Sequence, residues 1–256
     1  MIAAALLLAA PAGQEPPAER LAALLRPCRE AAAIEAVVHL RGELPAAAAG
    51  PPRPIADVRL SLRFARPAAG RLEWRGRMWT GADPTEDGAL PLTPIDRSLL
   101  GDGERLYLVE RRERRFRRLA GGLADLGPDW PALLPLQVWA GVETEPILAV
   151  EALPDPPETG WRGFRVRSRW HLAEYWFDAD GAFRAARLLP DPELDRLQRR
   201  SGQPPLPRYR AEIELWRLHP CADPKAWRAR PPADFVAASS EEKEETAPKQ
   251  REEDRP

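Results

Sequence analysis

The side chains in this chain that could do chemistry are few: three histidines, two cysteines and a scatter of aspartates. A metal site needs ligands gathered by short spacing, as in HxxxH, HExxH or CxxC. His39, His171 and His219 stand far apart, each in a separate strand-like stretch, and predict structural roles. No CxxC, no Gly-rich phosphate loop and no GxSxG turn occurs. Asp178 and Asp180 belong to DADG, a sequence that turn chemistry explains better than acid–base work. Asp155, Asp191 and Asp195 lie in proline-flanked, loop-like stretches. A glycosidase-type carboxylate pair is spatial and not sequential, so that arrangement stays open. No residue takes a catalytic role on this reading. The expectation is a protein that is not an enzyme and holds no cofactor or metal.

One stretch does look like a functional signal: VERRERRFRRL, Val109 to Leu119, with six arginines in eleven residues. A nucleic-acid strip would place aromatic stacking platforms among its cations, and Phe116 is the one aromatic here. Lys+Arg number 38 against 39 Asp+Glu, a net charge of -1, so no global field draws in a polyanion. Lys225, Lys243 and Lys249 are the only lysines and asparagine is absent, so arginine is simply this chain's default cation. The arginines are read as the tip and solvent face of a hairpin, where charge also blocks edge-to-edge association. No nucleic-acid partner is expected.

The elements that would position such residues are mostly strands. In DVRLSLRF, Val58, Leu60, Leu62 and Phe64 alternate with polar residues, the period of two of a half-buried strand. RLEWRGRMW repeats this with Leu72, Trp74, Gly76 and Met78. The GDG at Gly101–Gly103 opens a hairpin that runs through Leu106–Val109, reverses at Arg111–Arg114 and returns through Phe116 and Leu119. Later strands follow at Ile147–Leu153, WRGFRVRSRWHL (Phe164, Val166, Trp170), AEYWFDADGAFRAARLL and YRAEIELWRL, the last with Tyr209, Ala211, Ile213 and Leu215 facing one way. Pro190–Pro207 has room for a short helix. Two longer helical stretches are predicted: Ala18–Val38, disturbed by Pro27, and the proline-broken apolar run GGLADLGPDWPALLPLQVWAG.

The ends differ from the middle. Ile2–Ala10 is an apolar run of signal-peptide length followed by Ala10-Pro11-Ala12, so residues 1–12 read as an export signal, with a buried N-terminal helix as the alternative. The run is too short to span a bilayer. A periplasmic or secreted location would permit Cys28 and Cys221 to close a long loop, worth about 4 kcal/mol in the chain-entropy model; two unrelated thiols are equally compatible with the sequence. Residues 239–256 lack apolar spacing and read as a disordered charged tail.

This order of elements, with its DGxxLYLVExRxRxF hairpin (Asp102–Phe116) and its closing LHPCADPKAWRARPPADF (Leu218–Phe235), resembles the periplasmic lipoprotein-carrier superfamily of LolA/LolB type over residues 18–236. The resemblance implies an α+β, mainly antiparallel fold: a curved, open half-barrel sheet with helices over its concave apolar face. It implies further that this face takes a lipid or an acylated protein. Leu60, Leu62, Phe64, Leu72, Trp74, Met78, Phe164, Val166 and Trp170 are then the cavity candidates. Bulky side chains can equally fill such a sheet and leave no cavity. In that case the chain is a structural or interaction module of the cell envelope with a protein partner.

Overall fold

The structure, a computed structural model, describes residues 15–45, 51–66, 69–79, 84–85, 89–120, 147–154, 160–167, 171–203 and 205–238. The apolar N-terminal run, the proline-broken stretch after Gly121, Trp170 and the tail from Ser239 lie outside these residues.

The chain begins with helix α1 (Pro17–Glu30), then β1 (Ala33–Leu44), β2 (Arg53–Ala65), β3 (Ala69–Trp79), β4 (Leu92–Asp102), β5 (Leu106–Glu110) and β6 (Arg115–Leu119). After the connection it resumes with β7 (Ala149–Leu153), β8 (Arg162–Arg167), β9 (His171–Phe177) and β10 (Phe183–Pro190). Helix α2 (Pro192–Arg200), β11 (Arg208–His219), the one-turn α3 (Pro224–Trp227) and β12 (Val236–Ala237) complete it. Among the described residues twelve strands form one open sheet in the order β12-β6-β5-β4-β3-β2-β1-β11-β10-β9-β8-β7, antiparallel except where β12 lies parallel to β6. Within β1–β6 and within β7–β11 neighbours in the chain are neighbours in the sheet; the β1–β11 seam joins the two halves, and β12 returns to the β6 edge.

The predicted helix over Ala18–Val38 is half right. It stops at Glu30, where Ala31 turns extended and its N–H donates to Pro27 O, and the rest of the stretch is the central strand β1. The alanines of that stretch favour a helix locally. Ile34, Ala36, Val38 and Leu40, however, also alternate at a period of two, and pairing on both sides, with β2 and β11, decides for strand. Pro27 falls in the last turn of α1, where a missing N–H costs one bond and the helix is about to end.

One face of the sheet is apolar from β6 to β7 and forms the core. Phe64, Leu62 and Leu60 stand opposite Gly70, Leu72 and Trp74 on β3, and opposite Ile34, Ala36 and Val38 on β1. The same core takes in Phe164, Phe177, Phe183 and Ala211 from the other half. Leu21 of α1, with Leu24 and Leu25 beside it, packs onto this face. Glycines let β3 lie close on β2: Gly76 (φ 155°) sits where a Cβ would overlap the Asp57 carbonyl oxygen. The other two helices lie on the opposite, charged face. Pro192, Glu193 and Arg196 of α2 share a hollow with Glu151 and Arg165, and Trp227 of α3 stacks under the Arg63 guanidinium. Among the described helices α1 alone packs on the apolar face.

Candidate ligand-binding face

The cavity candidates come from three strands, and the register brings them together. Leu60, Leu62 and Phe64 of β2 and Leu72, Trp74 and Met78 of β3 share the apolar face, and Phe164 and Val166 of β8 join the same cluster from the far half. The ninth, Trp170, lies outside the described residues. Except for Met78, the placed candidates are buried; Trp74 is 0% exposed and Leu60 1%. The margin of the face is formed by Met78 together with Ile95, Leu188 and Tyr209, which are half-buried and pack against the core.

Register also places on this face residues that the sequence reading missed. Trp74 is the cross-strand partner of Arg97, and Arg97 that of Glu110, whose carboxylate it meets at 3.1 Å. Glu110 in turn faces Arg115, and Leu108 faces Arg117. Two of the hairpin arginines thus stand on the apolar side of the sheet and not on its solvent face, which corrects the simple reading of that stretch. The signal was present: Arg115 and Arg117 share a period of two with Leu119. The tip itself is as expected, with Arg111–Arg114 turning the chain and Arg114 at φ 54°. Arg111 is also no bystander. Its Nε donates to Ser98 Oγ at 2.8 Å and its second nitrogen reaches Glu73 at 2.9 Å on the charged face.

The alternation read for the last strand is broken by a bulge. Val37 pairs with Leu215 but Val38 with Ile213, leaving Glu214 out of the ladder to bind Arg59 at 2.6 Å. Beyond the bulge the phase flips, so Trp216 and Leu218, not Leu215, join the core. Trp216 donates to the Cys28 sulfur, and burial pushes the Cys28 thiol up to about 11. Cys28 is buried against the apolar face and Cys221 is exposed beyond the end of β11, and both are free. The disulfide allowed by the sequence is therefore not formed.

The histidines sit on the charged face or outside the described side chains. His39 Nε2 meets Asp57 at 2.5 Å, and the His219 ring lies edge-on to Trp227. Among the described residues no group of three His, Cys, Asp or Glu side chains converges on a common point. Among the described residues four aspartates are held below the ordinary carboxylate value, Asp234 at the surface by its hydrogen bond with Arg114 and three others that are more deeply set. Burial pushes Asp102 up, but the N–H groups of Glu104 and Arg105, the Arg230 charge and the Tyr107 hydroxyl outweigh it. Asp178 follows the same balance, with Ala182 N–H, Arg184 and Asp180 N–H closing the β9–β10 turn. Asp191 caps α2 through the N–H groups of Glu193 and Leu194 and pairs with Arg167. All three are structural acceptors.

No family model matches the chain, and no curated protein matches it. Among solved structures, the crystal structure of LprF from Mycobacterium bovis is similar over 79% of this chain and 95% of that one, at 9% identity and a TM-score of 0.37. A superposition that loose assigns neither a ligand nor a site.

Proposed function

We propose that the protein binds a lipid, or the acyl chain of a lipidated partner, at the apolar face of its sheet, and that it acts as an exported envelope carrier or sensor and not as an enzyme. The observation that carries this reading is the apolar face that runs from Leu119 of β6 to Val150 of β7, with Met78, Ile95, Leu188 and Tyr209 half-buried at its margin. An acyl chain laid there gains about 0.8 kcal/mol per methylene buried, so affinity needs little polar recognition. Arg97, Arg115 and Arg117 stand on the same face and are suited to an anionic headgroup. No described helix is long and apolar enough to cross a membrane.

A second reading has its own observation. Trp74, Leu60, Leu62, Phe64, Leu72 and Phe164 are already buried, as in a sheet filled by its own side chains that serves as an envelope interaction module. Titration with a fluorescent fatty-acyl probe separates the two, using wild type beside Met78→Asp and Ile95→Asp. Both replaced residues are half-buried, so the variants should fold. Saturable binding by wild type that both variants lose supports the lipid reading. No binding by folded wild type supports the filled sheet.

A further inference from the structure

Three of the half-buried residues at the margin of the apolar face fall in one row. Cross-strand pairing sets Leu188 opposite Tyr209, Tyr209 opposite Gly42, Gly42 opposite Ala56 and Ala56 opposite Met78, across β10, β11, β1, β2 and β3. Residues paired in this way point to the same side of a sheet, here the apolar one. The two middle members are small: Gly42 has no side chain and Ala56 a single methyl. Between Leu188 and Met78 the row would be a gap if Tyr209 did not fill it. Its ring does so by lying over Gly42. A Cβ there would stand 2.7 and 2.8 Å from the ring carbons Cε1 and Cδ1, and 3.0 Å from the Ala56 methyl.

This row separates two apolar clusters. On one side is the main core, whose nearest members, Leu40, Val58 and Ala211, form the next row of the same face on β1, β2 and β11. On the other side, two residues beyond Gly42 on β1, is Leu44, which forms a smaller buried cluster with Ile55 and Leu90. Among the described residues Tyr209 is the one half-buried side chain that packs against both clusters. We propose that the Tyr209 ring sets the length of acyl chain that the apolar face accepts. It blocks the gap over Gly42 and Ala56 through which a longer chain would reach Leu44, Ile55 and Leu90. The inference rests on the lipid reading of this face. A methylene chain running with the strands makes no hydrogen bonds there, so the space left by the ring alone decides the fit. Each further methylene that finds apolar cover beyond the ring would tighten binding about fourfold.

Titration of the full chain with saturated fatty acids of increasing length, in competition with a fluorescent fatty-acyl probe, tests this. Wild type is measured beside Tyr209→Ala and Tyr209→Phe. Wild-type affinity is expected to rise with chain length and then level off. In Tyr209→Ala the rise should continue to longer acids, the longest binding at least roughly tenfold more tightly than to wild type. Tyr209→Phe keeps the ring and should keep the wild-type cut-off. Tyr209→Val retains an apolar, strand-forming side chain and replaces the alanine variant if urea unfolding shows that variant unfolded. A loss of packing alone would weaken every length alike. An unchanged length dependence in folded Tyr209→Ala or Tyr209→Val therefore overturns the proposal and leaves the lipid reading standing, as does a cut-off lost in Tyr209→Phe. A folded wild type that binds no acid of any length overturns the lipid reading and the proposal with it.

Discussion

Replacing Gly76 by alanine tests how the β2–β3 ladder is built. Gly76 has φ 155°, a conformation that L side chains rarely adopt, and lies opposite Val58 in the ladder. An added Cβ would overlap the Asp57 carbonyl oxygen and stand 2.8 Å from Val58 Cα, well inside the 3.4 Å at which ordinary contact begins. Both neighbours are backbone, so neither can swing aside, and the strands must part locally. Backbone strain of about 1–3 kcal/mol adds to the loss of ladder hydrogen bonds worth about 1 kcal/mol each. The sum is about 3 kcal/mol or more. Gly160→Ala is the control: its φ is 59°, but nothing lies within 4 Å, so only strain of about 1 kcal/mol applies. Urea unfolding should show the Gly76 midpoint falling much further than the Gly160 midpoint, at similar slopes. Equal costs for the two substitutions would refute the close approach of β3 to β2.

Other outcomes follow from the same structure. Trp74→Ala, at a fully buried position, should cost about 3–5 kcal/mol by urea unfolding; a cost near zero would mean that Trp74 is not core. Asp102, Asp178 and Asp191 all have folded pKa values below the ordinary 3.8, so the stability they contribute is complete above that pH. It is lost as pH falls through the depressed folded values, and the urea midpoint should hold down to about pH 4 and drop below it. A midpoint that rises on acidification would contradict this sign. Cys221 is exposed and Cys28 buried, so a thiol reagent at pH 8 should label one thiol in the folded chain and both after unfolding. Finding no reactive thiol in denaturant would restore the disulfide.

Much of the β architecture is legible where pairing is local and one side is wet. Leu60, Leu62, Phe64, Leu72 and Trp74 alternate with Ser61, Arg63, Glu73 and other polar residues, and register confirms the shared face. The turns at Arg111–Arg114 and Asp178–Gly181 announce themselves by polar and glycine residues between apolar runs. Helix α2 is equally legible, with Asp191 as cap and Pro192 in its first turn. Strand β1 is hidden because its alanines fit a helix, and pairing on both sides, with β2 and with β11 far away in sequence, decides the matter. Strand β4 is obscured for a different reason. Ser98, Leu99, Leu100, Gly101 and Asp102 are all buried, so the alternation that marks a one-sided strand disappears. The Glu214 bulge and the arginines on the apolar face depend on register, which composition does not carry.

The central claim, that the apolar face holds a lipid, is tested most directly by native mass spectrometry of the full chain purified from its native source. The account predicts intact protein carrying one mass increment that leaves on denaturation and fragments as an acyl-chain compound. It predicts too that the Met78→Asp protein, equally folded, lacks that increment. A folded wild type that flies at its bare polypeptide mass, with no acyl species in its solvent extract, would contradict the claim and favour the filled sheet.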